Sequence, residues 1–149
     1  MTNLSVNVNK IAWLRNARGE NRPNLIEMSK ILIESGVHGL TVHPRPDLRH
    51  ITPDDVYDLS ILCADNKVEF NIEGNPYSEQ TKIYPGFLNL VKEIMPDQCT
   101  LVPDSPDQLT SDHGWEIQAK DHNAIRNIVE EIQTDKTRVS FFVDPNIAQ

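Results

Sequence analysis

Only two cysteines occur in 149 residues, Cys63 and Cys99. That count excludes a disulfide framework. Both read as buried reduced thiols, Cys63 in a helical pattern and Cys99 at a strand start. No apolar run approaches the ~20 residues of a membrane span. The start, Met1-Thr2-Asn3-Leu4, has neither the basic nor the apolar region of a signal peptide. These absences predict a soluble cytoplasmic protein with no membrane partner. Positive charge is scarce as well: 14 basic residues stand against 22 acidic ones, a net charge of −8. Nucleic-acid binders usually present a basic face, so nucleic acid is not the expected partner. An anionic ligand would have to be met by local cations rather than by the overall field. Neither GxGxxG nor GxxxxGK(S/T) is present, so neither dinucleotide nor P-loop binding is indicated, and no GxSxG elbow occurs. His43, His50 and Glu73 could hold a metal in principle. No HExxH or paired-cysteine spacing supports it, and no metal is expected.

What is present is a repeat of strand and helix. Hydrophobic content of 38% is low but compatible with a packed core, and the length suits one domain over residues 1–149. Leu4–Val8 alternates like a strand, and Asn9–Gly19 reads as a polar stretch. Asn21-Arg22-Pro23 opens a helix with proline in its first turn; Leu25, Met28 and Leu32 give its stripe and Gly36 its end. Gly39–Val42 is a second strand. Thr52-Pro53-Asp54-Asp55 is a helix start, with cap, first-turn proline and acidic third position. Val68–Ile72 is a third strand, and residues 77–85 form an irregular insertion. Phe87, Leu90, Val91 and Ile94 mark a helix that Pro96-Asp97 stops. Cys99–Val102 is a fourth strand, and Pro106–Trp115 a long polar loop. Ile125, Ile128, Val129 and Ile132 mark a fourth helix, and Arg138–Val143 a fifth strand.

Five strands alternating with four helices predict a parallel sheet. A five-stranded flavodoxin-like domain would fit the length. Yet polar residues close every strand: Asn7, His43, Glu73, Asp104 and Asp144. A doubly wound sheet concentrates its site at one switch point, whereas a barrel recruits residues from many strand ends. The α/β fold expected is therefore a (β/α)8 TIM barrel. It is incomplete here, because eight βα units need about 250 residues.

The densest chemistry follows the second strand. His43, Arg45, Arg49 and His50 fall within eight residues, interleaved with Pro44 and Pro46. Two prolines so spaced forbid both helix and ladder pairing, which leaves a stiff loop at a strand end. Guanidinium forks and imidazoles there suit a phosphorylated ligand. Arg18, Arg45, Arg49 and His50 could hold phosphate oxygens, with Arg49 given to the solvated surface. Glu73 closes an apolar strand, so desolvation should raise its pKa and fit it for proton transfer; it reads equally well as an acid capping the next turn. His43 can exchange protons near neutral pH, or be a histidine hydrogen-bonded under its loop.

Longer stretches carry a resemblance. Ser5–Ala12 with Leu14-Arg15-Asn16-Ala17-Arg18-Gly19 resembles the opening of the pyridoxine 5′-phosphate synthase family. Thr41-Val42-His43-Pro44-Arg45-Pro46-Asp47 with Arg49-His50-Ile51 resembles its second strand and loop. Phe70–Gly74, Thr100–Asp104 and Val139–Asp144 follow in the family's order, so the likeness runs from Leu4 to Asp144. It implies a (β/α)8 barrel that condenses 1-deoxy-D-xylulose 5-phosphate with 3-amino-2-oxopropyl phosphate and closes the ring. The products are pyridoxine 5′-phosphate, phosphate and water, and no cofactor is used. By position, His43 and Glu73 match family acid-base residues. Asn7, Asn9, Lys10, Arg18, Arg45, His50 and Thr110 match substrate- or phosphate-binding positions. Asn9-Lys10 stands where many members have Asp-His. The family's later strands supply another acid, another histidine and glycine-rich phosphate loops, which have no counterpart here. The expectation is the N-terminal part of such a synthase, in a homo-oligomer. The competing reading is a short non-catalytic protein that binds phosphates or assembles with another barrel fragment.

Overall fold

A computed structural model describes residues 2–116 and 122–145. Its strands are β1 (Ser5–Asn7), β2 (Gly39–Val42), β3 (Glu69–Gly74), β4 (Gln98–Leu101) and β5 (Arg138–Phe141). Its helices are α1 (Asn9–Arg18), α2 (Leu25–Glu34), α3 (Pro53–Asn66), α4 (Phe87–Ile94) and α5 (His122–Ile132). The strands form one parallel sheet in the order β1-β2-β3-β4-β5. A flavodoxin-like sheet would place its first strand inside the order. The sequential order is that of a TIM barrel, here with five strands and open at β1 and β5.

Five helices are described where the sequence predicts four. The addition is α1, expected as a polar stretch. It has no side-chain cap and only Ala12 is buried, so it lacks the stripe by which a helix is read from sequence. The two predicted helix starts differ in outcome. Pro23 lies outside α2, whose cap is Asn24, its side chain accepting from the Glu27 N–H at 3.0 Å. The predicted start of α3 is present in full: Thr52 caps the Asp55 N–H, Asp55 answers to the Thr52 N–H, and Pro53 opens the helix.

Strand alternation divides the sheet into two faces. Leu40, Val42, Phe70, Ile72, Cys99 and Leu101 point toward the helices and are buried. They pack with Val56, Leu59, Phe87, Leu90 and Ile128 in one apolar core. The alternate residues carry a row of hydroxyls and amides across the other face. Ser5 Oγ lies 2.8 Å from Thr41 Oγ1, and Asn71 Nδ2 donates to Thr41 Oγ1 at 3.3 Å. Thr100 Oγ1 donates to Asn71 Oδ1 at 3.0 Å and lies 2.8 Å from Ser140 Oγ. Thr100 has one proton and gives it to Asn71, so Ser140 donates to Thr100. TIM-barrel interiors are usually filled by bulky branched residues; this inner face is polar. Two residues further along β1, β2 and β3, the same face carries Asn7, His43 and Glu73.

Candidate active site

The carboxyl ends of the strands surround a cavity of about 620 Å³ lined by Asn7, Asn9, Lys10, Trp13, His43, Arg45, Arg49, His50, Glu73, Val102, Leu109, Thr110, Ser111 and Phe142. It brings together every residue expected at the site except Arg18. That residue lies in the last turn of α1, is exposed, and is not part of the cavity wall. A groove of similar volume, about 630 Å³, lies at the opposite end of the strands among Cys63, Lys67, Glu69, Asp97 and Arg138. It has no histidine and lies at the end of the sheet where barrels seldom act. The chemistry therefore favours the carboxyl-end cavity.

His43 directly follows β2. Its backbone N–H donates to Asn9 Oδ1 at 2.9 Å, which ties the strand end to the start of α1. Burial pushes the imidazole down to about 3, helped by the positive charge of Arg45 and by His50 and Arg49. At neutral pH it is uncharged and has a lone pair to offer a proton. Glu73, near the end of β3, moves the other way. Burial and the nearby Asp104 charge raise it to about 7, against a single bond from Asn7 Nδ2 at 3.3 Å. Near neutrality its carboxyl holds a proton for part of the time. Gly74 makes this strand end possible, because a Cβ there would sit 2.4 Å from the Phe87 ring.

His50 accepts the Ile51 N–H on Nδ1 at 2.9 Å, so its proton is assigned to Nε2. Burial and Arg45 lower it to about 4, which makes it a neutral N–H donor at the cavity wall. Its loop is held from below by α1. Asn16 Nδ2 donates to the His50 carbonyl at 2.8 Å. Arg15 grips Asp55 with both Nη atoms, at 2.5 and 2.8 Å. Burial opposes ionisation of Asp55, but bonds from Arg15 and Thr52 hold its carboxyl below the usual range. The Arg15-Asn16 pair, in a stretch expected only to be polar, is thus a template for the β2–α3 loop.

The two loop arginines differ from expectation. Arg45 is buried and turns inward: Nη1 donates to Asp104 Oδ2 at 2.8 Å, and Nη2 to the carbonyls of Ser105 and Gln108 at 3.0 and 2.8 Å. Among the described residues, Nε–H and one Nη1–H meet no acceptor and are left for a ligand. Arg49, expected on the solvated surface, lines the cavity. It is paired with Asp47 and donates to the Gln108 and Leu109 carbonyls at 3.0 and 3.1 Å. Both hold the loop after β4, which delivers Thr110 and Ser111. Trp115 closes that loop, its Nε1–H donating to the Leu101 carbonyl at 2.9 Å.

Sequence reasoning missed Trp13, Val102, Ser111 and Phe142. Strand parity carried a signal for two of them: Thr100, Val102 and Asp104 share a face, as do Ser140 and Phe142. Trp13 lies one helical turn from Asn9-Lys10, with the Lys10 ammonium 5.6 Å from its ring centroid. No cluster of metal-ligating side chains occurs among the described residues, and among them no helix is long and apolar enough to cross a membrane.

Residues 4–149 match the family model described as pyridoxal phosphate biosynthesis protein PdxJ. A relative from Xylella fastidiosa (strain 9a5c), named pyridoxine 5′-phosphate synthase, is 52% identical over 146 residues, covering 98% of this chain and 56% of the relative. Relatives of the same name from Xanthomonas campestris pv. campestris (strain B100) and Xanthomonas axonopodis pv. citri (strain 306) are 52% and 50% identical, each over 99% of this chain and 59% of their own length. The chain thus spans a little over half the length of the curated relatives it matches.

Proposed function

Since the chain belongs to the pyridoxal phosphate biosynthesis protein PdxJ family, we propose that it forms the N-terminal part of a pyridoxine 5′-phosphate synthase. The reaction is condensation of 1-deoxy-D-xylulose 5-phosphate with 3-amino-2-oxopropyl phosphate, followed by ring closure. The observation that carries this reading is the pairing of His43 and Glu73 in one cavity with opposite proton affinities, about 3 and about 7. Groups displaced in opposite directions divide the roles of base and acid. Neutral His43 takes a proton from carbon or nitrogen, and Glu73 returns one to a departing hydroxyl. Imine formation, enolisation and loss of water each need such a transfer. Lys10, Arg49, Thr110 and the His50 Nε2–H offer cations and donors to a phosphate at the rim, and Asn7 and Asn9 orient Glu73 and His43. Substrate contact by Arg18 and by the spare hydrogens of Arg45 rests on the family resemblance. No cofactor is required by these steps.

A purely phosphate-binding protein would not need an acid-base pair, and that weighs against the non-catalytic alternative. The buried thiols Cys63 and Cys99 support residence in the reducing cytoplasm. Exposed Leu14, Ile31 and Ile61 on the helices support assembly into a homo-oligomer. The test is product formation from both phosphorylated substrates by the chain joined to the C-terminal strands of a relative. Glu73→Gln should lower turnover by roughly 10²–10⁴ with little change in KM. The 149-residue chain alone should fall far below an ordinary rate of ~1 s⁻¹. Turnover at that rate without further strands would overturn the need for the later strands, and a Glu73→Gln enzyme as fast as its parent would overturn the assignment.

A further inference from the structure

Asp104 ends the run that follows β4 and is buried; beyond its bond to Arg45 and its charge near Glu73 it has been given no part in the site. Its Oδ2 accepts from Arg45 Nη1 at 2.8 Å and from Ser111 Oγ at 2.9 Å, and lies 3.8 Å from His43 Nε2. Its backbone carbonyl accepts from Asn75 Nδ2 at 2.6 Å, just beyond Glu73. Oδ1 is buried and meets no donor among the described residues. We infer that Asp104 is a positioning residue of the site: it locks the Arg45 loop to the Ser111 loop and presents one fixed negative charge to both His43 and Glu73.

The inference rests on His43 and Glu73 being the acid-base pair. A buried aspartate facing arginine is ordinarily a structural ion pair, and such a pair is built so that every lone pair is satisfied. Asp104 is not satisfied. Oδ2 serves Arg45 and Ser111 from two different loops, while Oδ1 is left without a donor in a place where that is costly. The charged groups facing it are Arg45 and His43 from the β2 loop, Glu73 from β3 and His113 from the loop after β4. Arg45 opposes its field from one side only, through Nη1, while its Nη2 hydrogens go to the Ser105 and Gln108 carbonyls. What remains acts on the two proton carriers in one sense. Beside Glu73 it disfavours a second carboxylate, so the proton stays on Glu73 nearer neutrality. Beside His43, at 3.8 Å, it is the counter-charge for the imidazolium formed when His43 takes a proton. Asp104 acts through these two residues.

The experiment follows the ¹³C carboxyl shift of Glu73 against pH in the 149-residue chain, which needs no turnover and stands apart from the fate of the proposed reaction. In the parent the midpoint should fall near 7. Asp104→Asn keeps the shape and removes the charge, and the midpoint should drop by about one pH unit or more. Ser111→Ala removes a hydrogen bond and no charge, so it loosens the loop but leaves the midpoint within about 0.3 units. Asp104→Glu restores the charge and should return the midpoint toward the parent value. An Asp104→Asn midpoint equal to the parent, or a Ser111→Ala shift as large as that of Asp104→Asn, overturns the inference in favour of a purely structural pair. If Asp104→Asn does not fold, Asp104→Glu decides. A folded protein with a high Glu73 midpoint supports the role of charge, and an unfolded one or an ordinary carboxylate midpoint overturns it. Failure of the proposed reaction with these midpoints as expected would sink the function and leave the positioning role standing.

Discussion

The two faces of one sheet are made by alternate residues of the same five strands, yet they obey different physics. Toward the helices stand Leu40, Val42, Phe70, Ile72, Cys99 and Leu101, which gain by leaving water and need no partner in particular. On the other face stand Ser5, Thr41, Asn71, Thr100 and Ser140, each useful only if its neighbour is the right donor or acceptor at the right distance. The apolar face tolerates imprecision and supplies stability. The polar face tolerates little and supplies direction: its row continues into Asn7, His43 and Glu73 at the strand ends. A site that needs displaced proton affinities is thus grown from a face already committed to buried polarity.

The widest gap between the faces should appear in truncations of matched burial. Ile72→Ala removes a fully buried side chain from the helix-facing core and should destabilise the chain by about 2–5 kcal/mol in urea melts. Thr100→Val, nearly the same shape, removes one hydroxyl from the middle of the polar row. It strands Asn71 Oδ1 and the Ser140 hydroxyl, and should cost about 1–3 kcal/mol. A Thr100→Val protein as stable as its parent would show that the row carries no energy and that the division of the faces is one of composition only.

Acid and base should act on one face alone. Among the described residues, the titratable groups buried within the helix-facing core are the thiols of Cys63 and Cys99, each pushed up to about 12 by burial, Cys63 with help from Asp97. On the polar side, His43 and His50 bind protons more weakly folded than unfolded, at about 3 and 4 against 6.5. The unfolded chain therefore takes up more protons, and stability falls as pH drops from 6.5 through those values. Glu73 works in reverse. At about 7 against 4.5, it binds its proton more tightly when folded, and its contribution is full below 4.5 and lost as pH rises through 7. His43→Gln should flatten the acid limb of a stability-pH curve, and Glu73→Gln should raise stability at pH 8 relative to pH 5 compared with the parent. Parallel curves for all three proteins would mean that neither group changes its proton affinity on folding.

Much of this division could be read along the chain, and the reason lies in period. Alternation within Thr41-Val42-His43 and Asn71-Ile72-Glu73 assigns the faces without any knowledge of pairing. The capping box at Thr52 and the stripe of Phe87, Leu90, Val91 and Ile94 are likewise local. What stayed hidden depends on distant partners. Helix α1 is held by Arg15 on Asp55 and Asn16 on the His50 carbonyl, 40 and 34 residues away, rather than by an apolar stripe. Arg45 and Arg49 could be seen as cations, but not that carbonyls near Gln108 would claim them. Charge is written in the residue type, whereas its commitment is set by a loop 60 residues downstream.

The smallest effect should come from the end of the polar row, and it tests whether the row is one cooperative unit. Ser5 lies on the open edge strand β1, exposed, with its hydroxyl 2.8 Å from that of Thr41. Water can take its place, and Thr41 keeps the bond from Asn71 Nδ2. Ser5→Ala should therefore shift stability by no more than about 0.5 kcal/mol, read from the urea midpoint at constant slope. Thr100 differs in being buried and bonded on both sides. If the row acted as a chain of mutually polarised bonds, removing its first member would weaken the rest, and Ser5→Ala would cost as much as Thr100→Val. The contrast should narrow when the chain is joined to further strands that cover the β1 edge. Ser5 then loses access to water, and its removal should rise toward the ~1–3 kcal/mol of an interior member. A Ser5→Ala cost that stays the same with and without those strands would show that the edge of the polar face is never buried by them.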